Sequence, residues 1–435
     1  MKLFQQLLVA GAAASMLAPL ASQATEVNID DMNSYSRSKS SKIKFDSNTF
    51  SNEDFAVLKG RVDGLEAKQN NFEAASFSDT TTMDGKAVFS VGAIDGPTTG
   101  TNVADYYTDS TLFQYMYVMN LNTSFTGDDN LYVRIKTGNG PSDVVSGKTK
   151  KYRPFNETGY GSYLSSANQN GDALKVDKMW YTMPIGEKVT FTIGPKIENY
   201  YMHGTTPSIY KPVLKQFTLG GNASAYGAST SPGAGLTWTG DNGFAVSTNF
   251  TTKDGNKTGL LTDEGATSWA TQIGYTQPRY SVSAIVNQKY NDWGDSYFGT
   301  SLGNERTYGE ADSTNIGLRA WWRPEGTGTA TPSVSVGYDT SETANTTANA
   351  SSTDMYFVGL QWQDMFQSDD RIGLAFGQPQ MREDETTDPF AWEAYYSFNM
   401  NDSVNITPAI FGGSDRNGET TGDLTGVVVE TTFKF

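Results

Sequence analysis

Chemistry has little to work with in this chain, which holds one histidine, His203, and no cysteine among 435 residues. A Ser-His-Asp mechanism needs a base beside an activated nucleophile, and disulfide frameworks and thiolate metal sites both need cysteine. One stretch, Gly299-Thr300-Ser301-Leu302-Gly303, fits the G-x-S-x-G pattern. It lies in a polar segment without the strand-to-helix setting of a nucleophile elbow, so Ser301 reads as coincidence. The acidic run Arg382-Glu383-Asp384-Glu385-Thr386-Thr387-Asp388 offers oxygen ligands that could take a divalent cation or bridge it to lipopolysaccharide, yet its spacing is not that of a calcium loop. A solvated loop is the plainer reading, and no catalytic residue, metal or cofactor is expected.

A different chemistry, that of a charged wall, fits the remaining ionisable residues. By period-two parity Arg134, Lys136, Lys196, Lys289, Arg319 and Arg371 share one face of their strands with Glu393 and Glu430. If that face lines a lumen, the lumen is positive although the chain carries a formal charge of -16. Rings of charge bias permeant ions, which predicts a mild anion preference; ordinary solvated wall residues are the competing reading. The acidic balance excludes nucleic acid as the main partner.

Something must place such a wall, and the chain divides into four parts that could do so. Residues 1–24 combine Lys2, an apolar stretch from Leu7 to Leu20 and the small-x-small end Ser22-Gln23-Ala24, the layout of a removable signal peptide. Residues 25–53 are polar and aperiodic, a flexible linker. Over residues 54–76, Phe55, Leu58, Val62, Leu65, Gln69 and Phe72 make an a/d seam. A helix this short is marginal alone, so it is expected to form a short parallel coiled coil between protomers; a single amphipathic helix lying on the barrel is the alternative.

From residue 84 to 435 the period becomes two, with strands bounded by Gly, Asp, Asn and Pro. Seven hairpins turn at Gly127–Asn130, Pro184–Lys188, Gly240–Gly243, Gln277–Arg279, Arg323–Thr331, Asp364–Asp370 and Met400–Asp402. With a first strand near Lys86 to Ile94 and a last near Gly426 to Phe435, they give an all-β fold: a sixteen-stranded antiparallel transmembrane β-barrel, short turns in the periplasm and long loops outside. Val213 to Leu219 could be a further strand; it is placed instead in the third long loop, 198–233, which the reading allows to fold inward and narrow the lumen. Phe125, Trp238, Phe244, Tyr275, Tyr280, Trp322, Trp362 and Phe398 recur beside the short turns on the outward face, where a membrane interface selects aromatic rings. The terminal strand ends on Phe433 and Phe435, in the manner of the signal read by the outer-membrane assembly machinery.

Three stretches carry a resemblance: Met1-Lys2-Leu3-Phe4-Gln5-Gln6-Leu7-Leu8-Val9-Ala10, Ala56-Val57-Leu58-Lys59-Gly60-Arg61-Val62-Asp63-Gly64-Leu65-Glu66-Ala67-Lys68, and Phe433-Lys434-Phe435. They resemble the porins of cyanobacterial outer membranes, whose barrels are grouped with the carbohydrate-selective, OprB-like porins. That resemblance implies porin activity and a homotrimer set among outer-membrane lipid and lipopolysaccharide. Relatives usually carry an S-layer-homology domain that grips the cell wall, and residues 25–53 are too short to hold one, so peptidoglycan anchoring is not carried over. The expectation is a passive channel for ions and small polar solutes, with carbohydrates as candidate cargo, in the outer membrane, its helix in the periplasm. The competing reading is a secreted soluble all-β adhesin or glycan-binding protein, and a barrel hydrolase using Ser301 comes last.

Overall fold

The computed structural model describes residues 80–96, 111–140, 155, 161–294, 296–304, 311–344, 351–416 and 423–435. The expected signal peptide, linker and coiled-coil helix of residues 1–76 lie outside them. Alternation of apolar and polar residues produces sixteen strands: β1 (Thr81–Asp95), β2 (Leu112–Thr123), β3 (Asn130–Gly138), β4 (Lys175–Ile185), β5 (Val189–Ile197), β6 (Ser231–Thr239), β7 (Phe244–Thr252), β8 (Thr267–Gln277), β9 (Tyr280–Lys289), β10 (Ser313–Trp322), β11 (Ser333–Thr343), β12 (Ser352–Gln363), β13 (Arg371–Arg382), β14 (Phe390–Asn401), β15 (Val404–Ser414) and β16 (Leu424–Lys434). Each pairs antiparallel with its sequence neighbours, and β16 pairs with β1 from Lys86↔Lys434 to Asp95↔Thr425, so no sheet edge is left open. The seven short turns fall where the sequence placed them.

Burial fixes which side faces what. Outward Val246, Ile273, Val282, Leu318 and Val336 are 39–53% exposed, while their inward neighbours Ser247, Gln272, Ser283, Arg319 and Ser335 are all buried. Apolar outside and polar inside inverts a soluble protein and suits a wall standing in hydrocarbon. Of the aromatics beside the short turns, Phe125, Trp238, Phe244, Tyr280 and Trp322 are exposed, and Tyr275, Trp362 and Phe398 are partly covered. At the seam, the Phe435 and Gly85 backbones exchange two hydrogen bonds, Phe435 stacks on Tyr117 at 5.7 Å, and Phe433 meets Phe89 at 5.2 Å.

Two short turns share one device. Asp129 accepts hydrogen bonds from the Phe125 and Thr126 amides and from Tyr181 Oη of β4 at 2.7 Å; Asp370 accepts from the Met365, Phe366 and Gln367 amides and from Tyr396 Oη of β14 at 2.9 Å. In each case the tyrosine is the cross-strand partner of the residue two beyond the aspartate, Leu131 or Ile372. Desolvation of Asp370 opposes ionisation, yet the turn amides and Tyr396 together hold its carboxyl below the usual range.

Val213 to Leu219 adds no strand to the barrel. Lys215–Gly220 is a 3-10 segment, and Leu219, Gly220 and Gly221 take positive φ of 61°, 74° and 96° in succession. Three left-handed residues reverse the chain where a strand would need extended backbone.

Candidate functional site

The third long loop, residues 198–230, enters the barrel and is fastened to the inner wall strand by strand. Outbound, Asn199 Nδ2 donates to Asn249 of β7 at 2.9 Å, the Thr205 amide to Gln272 of β8 at 3.0 Å, the Ile209 amide to Ser335 of β11 at 3.2 Å, and the Lys211 amide to Gln361 of β12 at 3.1 Å. The loop then reaches Glu393 of β14. This fully buried carboxylate accepts from Tyr210 Oη at 2.9 Å and from the Val213 and Leu214 amides at 3.2 and 2.8 Å. On the return, Arg319 of β10 donates to the carbonyls of Leu219 and Gly221, both at 2.8 Å, and to Asp339 of β11 at 2.5 Å, with its guanidinium 4.5 Å over the Tyr226 ring. Lys289 Nζ of β9 finally donates to the Gly227 carbonyl at 2.9 Å.

The loop lies this close because the wall lacks side chains beneath it. A Cβ on Gly337 of β11 would stand 1.9 Å from the Gly220 carbonyl oxygen, and one on Gly274 of β8 would stand 2.2 Å from Thr205 Oγ1. Beyond these contacts the filling is apolar: Tyr210, Val213, Leu214 and Phe217 of the loop pack with Phe155, Leu164 and Phe298 against Phe357, Ala375, Phe411 and Val428 of the wall. The sequence reading allowed this loop to fold inward and narrow the lumen, and the structure packs it against this side of the wall. Wall residues that face a loop rather than solvent gain by being apolar, about 2 kcal/mol for a buried leucine or phenylalanine. Arg416 from the last long loop completes the packing, donating to Gln216 Oε1 at 2.5 Å and to the Gly299 carbonyl at 2.9 Å.

The opposite side stays open. Inward residues of β7 to β15 such as Asn249, Gln272, Asn287, Asn315, Phe357 and Phe411 are buried; on β2 to β4 Gln114, Met116, Val118 and Lys178 are buried too, but Asn120, Asn122, Tyr132, Arg134, Lys136 and Trp180 remain partly exposed. Here a register shift in β4 at Asp177 puts that carboxylate beside Arg134, with Nε 2.5 Å from Oδ2. Lys178 is buried and ion-paired with Glu198, which also accepts from Tyr200 Oη. Desolvation opposes ionisation of Glu198, but the attraction of Lys178 and Lys215 and its hydrogen bonds hold the carboxyl below the usual range. Desolvation lowers the Lys215 ammonium, which Glu198 counters and Lys178 reinforces. Four rings stand in a column from wall to loop: Tyr132 to Trp180 at 4.3 Å, Trp180 to Tyr201 at 4.8 Å and Tyr201 to Tyr200 at 4.6 Å between centroids.

The eight charges singled out by parity therefore have different fates. Arg134 and Lys136 face the open side; Arg371 is partly buried at the start of β13, across from Ser397. Lys289, Arg319 and Glu393 are buried under the loop as its fasteners. Glu430 is partly buried and hydrogen-bonded to Ser166 and Ser90. Lys196 is exposed: the register shifts between Gly194 and Ile197, and Ile197 takes the buried position that even parity had assigned to Lys196. Sequence reasoning missed Lys178, Lys215, Glu198 and the aromatic column. The shift at Asp177 breaks the count for the first, and the loop residues have no period to betray them.

The other motifs resolve into structure. His203 is partly buried with Nδ1 3.2 Å from Asn249 Nδ2 and its ring edge-on to Tyr226. The glycines of the G-x-S-x-G stretch serve docking: Gly299 bridges Gln380, and a Cβ on Gly303 would meet the Gln380 carbonyl at 2.1 Å. In the acidic run, Arg382 clamps Asp384 through two bonds and Glu385 accepts from the Arg382 amide and Thr300 Oγ1. Among the described residues no group of three or more metal-ligating side chains is placed to hold an ion.

A closed sixteen-stranded barrel, apolar outside and constricted by an inward loop, defines the porin class of outer-membrane proteins. The chain belongs to the carbohydrate-selective porin, OprB family, whose model matches residues 49–411. It is 25% identical over 391 residues to an uncharacterised protein of Nostoc sp., covering 82% of this chain and 65% of that one. To an uncharacterised protein of Synechocystis sp. it is 24% identical over 389 residues, covering 81% and 68%. The chain thus spans about two thirds of the length of these curated relatives. Among solved structures, Pseudomonas putida OprB matches with a TM-score of 0.55 at 11% identity, covering 82% of this chain and 94% of that one. Vibrio cholerae OmpT matches with a TM-score of 0.50 at 10% identity, covering 83% and 99%. At these identities the likeness is one of fold.

Proposed function

We propose that this protein is a passive channel through which ions and small polar solutes, carbohydrates among them, cross the outer membrane down their gradients. One observation carries the reading: inward side chains are covered along β7 to β15, whereas the polar set Asn120, Asn122, Arg134 and Lys136 on β2 and β3 is partly exposed, which supports a polar path beside the fastened loop. The family description supports sugars as cargo. Four cations, Arg134, Lys136, Lys178 and Lys215, against Asp177 and Glu198 support a mild anion preference in that path, with Arg371 and Glu430 as further lining charges. We further propose a homotrimer set in outer-membrane lipid and lipopolysaccharide, inserted by the assembly machinery through Phe433 and Phe435. Planar-bilayer conductance of the purified protein across a salt gradient, with sugars added, tests the reading. A reversal potential of modest anion selectivity and a current reduced by sugars are expected; absence of current, or strong cation selectivity, refutes it.

A further inference from the structure

We infer that Lys136 and Lys215 form a saturable binding site for a small divalent oxyanion, such as phosphate or sulfate, on the open side of the lumen. The inference rests on the channel reading above and deepens it from a diffuse field to a place. Lys136 lies within electrostatic reach of Asp177, Arg134, Lys178 and Lys215, and Lys215 within reach of Glu198, Lys178 and Arg134. That is four cations against two carboxylates, and both carboxylates are committed: Asp177 to Arg134, Glu198 to Lys178 and Tyr200. The Lys136 ammonium has one long contact, to the Ala167 carbonyl at 3.5 Å, and that of Lys215 stands 5.2 Å from the centroid of the Tyr297 ring. Neither has an ion-pair partner among the described residues. Of the neighbouring charges on β1, Asp84 is bound by Asn120 at 2.6 Å, and Lys86 lies within electrostatic reach of Glu430 and Arg134.

Two uncompensated ammonium groups match two negative charges, and each presents three donors to oxygen, which suits a compact oxyanion better than chloride. The backbone of each is anchored. Lys136 sits in β3, while the Lys215 amide donates to the Tyr163 carbonyl at 2.8 Å beside the Leu164↔Leu214 bridge. A bound anion would also offset the desolvation that lowers the Lys215 ammonium. A neutral sugar has less to hold it here, because the faces of the neighbouring aromatic column are turned to one another and to Lys178.

The test titrates potassium phosphate, and separately potassium sulfate, into a bilayer carrying chloride current, with calorimetry of the detergent-solubilised protein against the same anions. Saturable reduction of the chloride current is expected. Lys136→Gln and Lys215→Gln should each raise the half-saturating concentration about fivefold, the weight of one ion pair near 1 kcal/mol. Lys188→Gln, at an exposed turn, should leave it unchanged. Currents that follow bulk conductivity without saturation, or saturation indifferent to both substitutions, would overturn the site while leaving the channel standing. Saturable binding in the calorimeter with no current in any form would refute the channel and keep the site. Sulfate and phosphate acting alike assigns the site to charge and oxygen; phosphate alone narrows it to that anion.

Discussion

Replacing Arg319 with methionine should free the inward loop. The guanidinium and Asp339 are both buried, at 3% and 1% exposure, and the same side chain holds the carbonyls of Leu219 and Gly221. In Arg319→Met, Asp339 keeps only the Ala225 amide at 3.2 Å, and breaking a buried pair from one side costs about 3–5 kcal/mol. Two orphaned carbonyls add roughly 1 kcal/mol each, less where lumen water reaches them. The protein can escape most of this by letting the return limb of the loop lift and admitting water to Asp339, so the loss should appear as a change in the channel before any unfolding of the wall. Single-channel recording should show a larger, noisier conductance, and heat-modifiable gel migration a transition shifted by only a few degrees. Arg319→Met with Asp339→Leu removes both charges and should recover much of the quiet state, since a buried pair replaced by apolar groups is often neutral. A single variant with unaltered conductance and noise, or a double variant no quieter than the single, would refute the claim that this pair fastens the loop.

Three further outcomes follow from the same contacts. Gly337→Ala puts a methyl 1.9 Å from the Gly220 carbonyl, so the loop must shift by more than an ångström and bilayer conductance should change while the barrel still migrates as folded. Glu393→Ala leaves Tyr210 Oη and two loop amides without their acceptor, at about 1–3 kcal/mol per donor; faster proteolysis within residues 205–220 checks it, and wild-type resistance contradicts it. Asp370→Ala should cost about 1–3 kcal/mol through its orphaned turn amides, read as an earlier denaturant midpoint. Because the folded pKa of Asp370 is depressed, its stabilisation is present above the unfolded value near 3.8 and lost as pH falls through the folded value, so wild type and variant should converge only in strong acid.

The wall was legible in the sequence because a period of two and the punctuation of Gly, Asp and Pro are local signals, and lipid on one side leaves no freedom of register. Strand count, turns and the end strands follow from them. The site was legible only where parity held. Arg134 and Lys136 could be read off β3, but the irregularities at Asp177 and at Gly194 each shift the count by a residue, concealing Lys178 and misplacing Lys196. Parity also says which side chains point inward and nothing about what meets them there. Lys289, Arg319 and Glu393, which parity offered as lining residues, grip a segment whose path depends on contacts made far away in sequence, such as Leu214 to Glu393.

The bare rungs at Gly274 and Gly337 let the loop rest on the barrel as a second lining. Bore and charge can then be re-tailored by editing that lining and its few rivets, with the number of staves and their lipid-facing surface left as they are. A lineage could thereby acquire a new solute preference through a handful of substitutions, none of which the membrane would notice.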